Sequence, residues 1–139
     1  MSVESALASY RVLDVTNEKG FLCGKLLADL GADVIKIERP GGGPARKIGP
    51  FYKNRLDCQA GLYWWAYNVN KRGITLNIEP RDGQEIFKAL VKTADFVIES
   101  FDPGYLQGLH LGYEDLSQIN PRVIMTSITP FGQTCPKAH

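Results

Sequence analysis

The chain has 139 residues, of which 44% are hydrophobic and 22% are charged, and this suits one globular domain with its own core. Its formal net charge of +1 gives no electrostatic case for binding nucleic acid or an acidic membrane surface. No apolar run is long enough to span a bilayer, and the first ten residues lack the basic and hydrophobic blocks of a signal peptide. We therefore expect a single cytoplasmic domain over residues 1–139, without nucleic-acid or membrane partners.

Cysteine and histidine usage argues against two common kinds of site. Cys23, Cys58 and Cys135 are odd in number and lack the paired spacing of metal ligands, so we expect free thiols. The chain contains two histidines, which makes a histidine-rich metal site or a histidine-based triad an unfavoured interpretation.

The first half of the chain predicts a strand–helix–strand unit. Residues 11–16 form a first apolar run, and residues 20–30 have apolar residues at helical spacing, with Gly31 placed to end a helix. Residues 33–38 are a β-branched run of the kind that lies buried on both faces of a parallel sheet. Residues 39–50 contain three prolines and four glycines, which predicts a long loop, and long ordered loops tend to carry function.

The second half predicts three more strands and further helices. An aromatic-rich segment suggests a short helix packed against the sheet, and Pro80 suits the first turn of an amphipathic helix. The predicted elements are a helix at 62–67, a strand at 74–78, a helix at 80–94, a strand at 95–101, short helices near 103 and at 113–119, and a strand at 121–127. Five strands with interleaved helices predict an α/β fold with a Rossmann-like, doubly wound and mostly parallel sheet.

Open α/β sheets bind ligands at the carboxyl ends of their strands, so we expect a site next to residues 17–20 and 38–43. Arg39 directly follows the second strand, where a guanidinium can bind a phosphate with two hydrogen bonds. Lys71 and Arg72 lie in a turn that can reach the same crevice. Each cation alone could equally be solvated or ion-paired, but three at one sheet edge favour a phosphorylated nucleotide.

A nicotinamide or flavin site is the weaker alternative. The glycines that follow the first strand, Gly20 and Gly24, are two where the dinucleotide fingerprint requires three at fixed spacing. Glu38 does lie where a ribose-binding acid is found in such proteins. The sequence contains no serine nucleophile elbow and no P-loop, and no residue stands out as a nucleophile.

The order of several longer motifs is more specific than their chemistry. These motifs are RVLDVT at 11–16, LADLGADVIKIERPGG at 27–42, NKRGITLN at 70–77, ADFVIESF at 94–101 and SITPFGQ at 127–133. In this order and spacing they closely resemble the amino-terminal third of the family III CoA-transferases, whose fold the α-methylacyl-CoA racemases share.

The resemblance implies a Rossmann-like domain that binds coenzyme A (CoA) or an acyl-CoA as a substrate, with no tightly bound cofactor. It also implies a carboxylic acid as second substrate and a homodimer, or higher homo-oligomer, of interlocked chains. Arg39 and Leu76 match residues that contact the adenosine end of CoA in the family, and Ser100 and Phe101 match a pair that lines the thioester channel. In the transferases a carboxylate attacks the acyl-CoA thioester and the enzyme passes through covalent intermediates.

Three departures from the family pattern bear on activity. The first loop carries Lys19-Gly20-Phe21 where the family usually has Ala-Gly-Pro, and Gly108 occupies a position where a phosphate-binding arginine is common. The family's catalytic aspartate lies tens of residues beyond the SITPFGQ motif, so no catalytic residue is assigned, and we expect the isolated chain not to transfer CoA. Whether the chain is an enzyme stays open. The alternatives are a non-catalytic, self-associating binding or assembly module derived from this fold, and a racemase relative.

Overall fold

A computed structural model describes residues 5–136 of the chain. The elements in chain order are β1 Arg11–Val15, α1 Phe21–Asp29, β2 Asp33–Glu38, α2 Leu62–Asn68, β3 Arg72–Thr75, α3 Arg81–Val91, β4 Phe96–Glu99, α4 Tyr105–Gly108, α5 Tyr113–Ile119 and β5 Ile124–Ser127. Two short 3-10 turns, Pro44–Lys47 and Tyr52–Asn54, lie in the segment between β2 and α2.

The described strands form one sheet in the order β3-β2-β1-β4-β5, and every neighbouring pair is parallel. β1 lies in the middle, with Leu13 opposite Ile35 of β2 on one side and opposite Val97 of β4 on the other. Consecutive strands are joined through helices, as parallel pairing requires. The predicted α/β, Rossmann-like fold is confirmed.

Alternating residues of the strands build a core on each face of the sheet. On one face Leu13, Ile35 and Val97 pack with Phe87 and Val91 of α3, which are both fully buried. This cluster extends to α4 and α5 through three leucines, Leu106, Leu111 and Leu116. The other face carries a smaller cluster under α1. Both faces are therefore covered, which is why the central strands are apolar nearly throughout.

Helix α1 lies close to the sheet because small residues face it. Gly24 and Ala28 are buried, whereas Leu22, Leu26 and Leu30 are each about half exposed. The helix is confirmed by its position, and Gly31 ends the turn after it with a φ of +100°. Of the four leucines whose spacing predicted the helix, Leu27 thus packs with the sheet cluster and the other three do not.

Several predicted details are wrong, and the strands predicted at 95–101 and 121–127 are shorter, at Phe96–Glu99 and Ile124–Ser127. β3 covers Arg72–Thr75, so residues 76–78 leave the sheet where the alternation of Ile74, Leu76 and Ile78 had indicated strand. α2 packs on α1 rather than on the sheet, with the rings of Phe21 and Trp64 in an edge-to-face contact at 5.4 Å. No helix in the described part of the chain is long and apolar enough to cross a membrane.

Candidate functional site

An open crevice of about 480 Å³ lies along the carboxyl edge of the sheet. It reaches the ends of β1, β2 and β4 through Thr16, Glu38 and Ser100. The strand order reverses between β1 and β4, and this is the place at which open α/β sheets bind ligands. The volume lies in the range of small-molecule sites.

Two layers of the fold supply the walls of the crevice. One wall consists of the segment Leu76–Glu79 after β3, together with Phe101 and Tyr105 after β4. The facing wall comes from the α1–α2 side and contains Phe21, Trp64 and the Pro44–Ala45 turn. An apolar lining with a few charged groups at the rim is typical of sites that hold an organic ligand with an ionised end.

Arg39 lies at the rim as the sequence predicted. It lines the crevice, it is exposed, and its guanidinium forms no hydrogen bond or ion pair within residues 5–136. Leu76 also lines the crevice and lies beside this position, because its N–H donates to the Glu38 carbonyl at 2.7 Å. Ser100 and Phe101 line the crevice as well. Four of the six predicted site residues are thus brought together.

Lys71 and Arg72 are not brought to this edge, so the prediction that three cations meet there is wrong. Arg72 opens β3, pairs in register with Ile35, and places its guanidinium 2.6 Å from the Asp33 carboxylate at the amino edge of the sheet. Arg39 comes four residues after Ile35 in the chain. It therefore lies about 13 Å further along the strand direction, just past the end of β2. Neither Lys71 nor Arg72 lines the crevice.

Lys71 instead belongs to a buried charge cluster, which we call the Asp14 triad and which consists of Asp14, Lys36 and Lys71. Lys71 Nζ lies 2.9 Å from Asp14 Oδ2 and also donates to the Phe21 carbonyl and to Asn68 Oδ1, each at 3.0 Å. Its three N–H donors therefore have three acceptors. A ligand phosphate would have to displace one of them.

Lys36 completes the triad from β2. Its Nζ lies 3.0 Å from Asp14 Oδ1 and donates as well to the Asp14 and Thr16 carbonyls. Burial opposes ionisation of Asp14, but Lys36, Lys71 and hydrogen bonds together outweigh it and hold the pKa of Asp14 below its ordinary 3.8. Burial lowers the pKa of Lys36, and Asp14 offsets part of that effect. With all three groups ionised, the triad carries one excess positive charge beside the crevice floor.

Gly24 serves this triad rather than a pyrophosphate. A Cβ at position 24 would overlap the Asp14 carboxylate and would lie 3.0 Å from Lys71 Nζ. The second glycine of the incomplete dinucleotide fingerprint is therefore explained by a close approach of side chains from β1 and from the turn before β3.

Glu38 does not stand free at the ribose position of a dinucleotide site. Arg46 holds both of its carboxylate oxygens, through Nε at 2.9 Å to Oε1 and through Nη2 at 2.6 Å to Oε2. The Gly43 N–H donates to the same Oε1 at 2.8 Å, and the Arg46 guanidinium lies 3.9 Å from the ring centre of Trp64. Sequence reasoning missed Arg46, although it is a cation inside the loop singled out for its length.

Ser100 ties the first loop to the end of β4. Its Oγ accepts a hydrogen bond from the Asn17 N–H at 2.8 Å and donates to Asn17 Oδ1 at 2.9 Å. The neighbouring Glu99 is buried and accepts from the Phe101 N–H at 2.7 Å and from Gln133 Nε2 at 3.2 Å. Ser100 thus orders the crevice wall and has no free hydroxyl proton for nucleophilic chemistry.

A tyrosine and a glutamate that the sequence did not single out close one end of the crevice. Tyr105 stacks on Phe101 with ring centres 4.7 Å apart, and its hydroxyl donates to Glu79 Oε1 at 3.1 Å. Burial and the Glu79 hydrogen bond raise the pKa of Tyr105 above its ordinary value, whereas the Arg39 guanidinium opposes this rise. Tyr105 therefore interacts electrostatically with both Glu79 and Arg39 at one end of the crevice.

Cysteine and metal chemistry receive no support from the geometry. Cys23, Cys58 and Cys135 form no disulfide, and burial raises the pKa of the Cys23 thiol, which makes it a poorer nucleophile. Within residues 5–136 no group of three or more histidine, cysteine, aspartate or glutamate side chains is placed to hold a metal ion.

Comparison with known proteins identifies the group to which this arrangement is similar. The sequence profile described as CoA-transferase family III matches residues 7–139. The chain is 47% identical over 129 residues to the succinyl-CoA:(R)-benzylsuccinate CoA-transferase subunit BbsE of Thauera aromatica, covering 93% of this chain and 32% of that protein. It is 42% identical over 128 residues to the formyl-CoA:oxalate CoA-transferase of Rhodopseudomonas palustris, covering 91% and 29%.

A solved structure agrees with these sequence relatives. A CAIB/BAIF family protein from Brucella suis superposes with a TM-score of 0.87 at 39% identity, covering 97% of this chain and 36% of that one. The chain therefore spans about a third of the length of the curated relatives it matches.

Proposed function

Because the chain belongs to the family III CoA-transferases, we propose that residues 1–139 form a single CoA-binding, amino-terminal domain of an enzyme that transfers CoA between an acyl-CoA and a carboxylic acid. The observation that carries the proposal is the Arg39 guanidinium, which has no partner within residues 5–136 and lies at the rim of a crevice with apolar and polar walls at the switch point of the sheet. CoA combines an anionic nucleotide with a long, weakly polar pantetheine arm, and the crevice offers both kinds of surface.

Charge sets the orientation of the ligand. All phosphates of CoA lie on its nucleotide half, so the Arg39 end of the crevice takes that half, with Leu76 beside it. The pantetheine arm then runs toward Phe101 and Ser100. The wall there is the first loop, whose Asn17 N–H donates to the Ser100 hydroxyl. Lys71 and Arg72 are left out of the contact set, because one has three protein acceptors and the other lies at the opposite edge.

The chemical step is assigned to no residue of this domain. The carboxylate nucleophile that such a transfer needs is not assigned to a crevice residue, because the resemblance puts the catalytic aspartate beyond the SITPFGQ motif and because Glu38, at the end of β2, is held by Arg46. The proposal includes a cytoplasmic location and a homodimer or higher homo-oligomer. The named relatives are CoA-transferases, which favours transferase over racemase chemistry.

A non-catalytic assembly module is the second candidate function. The observation that favours it is the row of half-exposed leucines on α1, Leu22, Leu26 and Leu30, since a contiguous apolar helix face is usually covered by another surface. The two functions differ in one respect: a retained CoA site binds CoA, and a module that has lost its ligand does not.

Calorimetric titration with CoA tests the proposal, using Arg39→Gln and Arg72→Gln as a matched pair. Both arginines are exposed, but they lie at opposite edges of the same sheet. We expect saturable binding by the unaltered protein, a loss of roughly 10- to 100-fold in affinity for Arg39→Gln, and less than a twofold change for Arg72→Gln. No binding at millimolar CoA would contradict the proposal and favour the assembly module.

A further inference from the structure

The interior strand β2 carries a lysine where its neighbours are aliphatic. Lys36 is 2% exposed and lies between Ile35 and Ile37, in register with Asp14 of β1. Burying an ammonium group is costly even when it is paired, and well-packed apolar side chains of similar size are often as stable as a buried ion pair. Ion pairing with Asp14 alone therefore does not explain a lysine at this position.

The ammonium group of Lys36 is directed to the start of the first loop, residues 16–20. Its three N–H donors have three acceptors, which are Asp14 Oδ1 at 3.0 Å, the Asp14 carbonyl at 3.3 Å and the Thr16 carbonyl. The Thr16 carbonyl accepts from no other donor within residues 5–136. Lys36 therefore satisfies a backbone group at the base of the loop that would otherwise be buried without a partner.

One peptide unit of the loop is hydrogen-bonded at both of its ends. The Thr16 carbonyl and the Asn17 N–H belong to the same planar unit, and they bind Lys36 Nζ and, at 2.8 Å, Ser100 Oγ. Asp14 Oδ1 holds the rest of Thr16, because it accepts from its N–H at 3.0 Å and from its hydroxyl at 2.6 Å. The direction of this peptide unit is thus set by Lys36 on one side and by Ser100 on the other.

The same peptide unit forms part of the wall beside the pantetheine arm of the proposed ligand. Thr16, Asn17 and Lys36 line the crevice, whereas Lys71 does not. Without Lys36, the Thr16 carbonyl gains a partner by turning toward water in the crevice, and this moves the wall that the arm contacts. The nucleotide end at Arg39 lies on a different loop and is not attached to this peptide unit.

We propose that Lys36 is a positioning residue, which fixes the peptide unit between Thr16 and Asn17 and thereby shapes the part of the crevice that takes the pantetheine arm. This inference rests on the proposed function, because it presumes CoA in the crevice. It separates the two lysines of the Asp14 triad: Lys36 orders the ligand site, and Lys71 joins β1 to α1 and to the end of α2.

Lys36→Met and Lys71→Met are a matched pair for the test. Each removes a lysine whose Nζ lies near an Asp14 oxygen, at 3.0 Å and 2.9 Å, and each leaves one Asp14–lysine pair. Both ammonium groups also lie over the Phe21 ring, 5.0 Å and 5.4 Å from its centre. The two variants therefore lose the same charge, but only Lys36→Met removes the donor to the Thr16 carbonyl.

Calorimetric titration compares CoA with adenosine 3′,5′-bisphosphate, which lacks the pantetheine arm. Lys36→Met is expected to weaken CoA binding by roughly 5- to 50-fold, because the wall beside the arm loses a charged hydrogen bond. Binding of the bisphosphate should change by less than about twofold, since the nucleotide end is a separate part of the crevice. Lys71→Met should change the ratio of the two affinities by less than about twofold.

The outcomes separate the inference from the proposed function. Equal changes of the affinity ratio in Lys36→Met and Lys71→Met would assign the effect to the ion pairs and overturn the role of Lys36, and so would an unchanged ratio in Lys36→Met. Should Lys36→Met fail to fold, Lys36→Gln decides in its place, because its amide retains a donor for Asp14 but is one atom too short to hold the Thr16 carbonyl as well. Unaltered protein that binds neither ligand overturns the proposed function and this inference with it.

Discussion

Replacing Asp14 by Asn is expected to destabilise the fold far more than replacing either lysine that Asp14 contacts. Each lysine lies about 3 Å from a carboxylate oxygen, at 3.0 Å for Lys36 and 2.9 Å for Lys71. At an effective dielectric constant near 20, each contact supplies roughly 5 to 6 kcal/mol of attraction. Burial of the three ions opposes this gain by several kcal/mol per ion, so the triad as a whole is close to balanced.

The single substitutions disturb that balance unequally. Asp14→Asn removes both attractions and leaves two buried ammonium groups, which is expected to lower the free energy of unfolding by at least about 3 to 5 kcal/mol. Lys71→Met removes one attraction together with the excess charge and its desolvation, and it leaves a neutral Asp14–Lys36 pair. We expect it to lower the free energy of unfolding by no more than about 2 kcal/mol, chiefly because Asp14 Oδ2 and Asn68 Oδ1 lose a donor.

The pH dependence gives this prediction a signature that a simple packing defect lacks. In Asp14→Asn the buried Lys36 can become neutral by losing its proton, which costs about 5 kcal/mol at pH 7 relative to its ordinary pKa of 10.5. The folded pKa of that lysine is depressed below the unfolded one, so stability rises with pH between the two. The difference from the unaltered protein should therefore narrow by up to about 1.4 kcal/mol per pH unit toward pH 10.

The difference in free energy of unfolding between the unaltered protein and Asp14→Asn should also narrow at acid pH. There the unaltered protein loses stability, because Asp14 becomes protonated. The folded pKa of Asp14 lies below 3.8, so its stabilising effect is present above about pH 4 and is lost as the pH falls through the folded value. Urea unfolding of the three proteins at about pH 2.5, 4, 7 and 9.5 measures both changes. A Lys71→Met protein as unstable as Asp14→Asn, or a difference that is flat between pH 7 and 9.5, would refute the reasoning.

Two further substitutions test how the crevice is held. Gly24→Ala should lower the free energy of unfolding, measured in urea, by about 1 to 3 kcal/mol, because the new Cβ overlaps the Asp14 carboxylate. Gly108→Ala is the control: nothing lies within 4 Å of its Cβ, so the free energy of unfolding should change by less than about 1 kcal/mol. Arg46→Lys should lower the free energy of unfolding by about 1 to 2 kcal/mol and shift the fluorescence of the buried Trp64. A lysine cannot bind both carboxylate oxygens of Glu38 or lie flat over the indole. Unchanged emission would contradict that account.

The sequence predicted the fold well where burial left one possible pattern. Residues 33–38 are β-branched on both faces, and the observed β2 has the predicted bounds because such a run suits a central parallel strand and little else. The helix at 113–119 was also located to the residue, since its apolar and polar positions alternate at helical spacing between clear breaks. The position of Arg39 followed from the end of β2 by the general rule for open sheets.

The charged residues were harder, because the sequence does not say which edge of a sheet a turn reaches. Lys71 and Arg72 precede a strand, and in a parallel sheet the start of one strand lies at the edge opposite the end of its neighbour. Asp14 and Lys36 lie inside strands that look apolar, and no spacing along the chain announces that they meet Lys71 below α1. Such an ion cluster is a tertiary feature, formed by residues 22 and 57 positions apart.

The boundary of β3 decides which charged side chains can contact a ligand. Alternation of Ile74, Leu76 and Ile78 fits a strand at 74–78, but pairing with β2 runs from Arg72 to Thr75. A strand that starts two residues earlier commits Arg72 to the amino edge, and its early end frees Leu76–Glu79 to form a wall of the crevice. A shift of two residues in one edge strand thus keeps the Arg72 side chain away from the crevice and puts Glu79 at its rim.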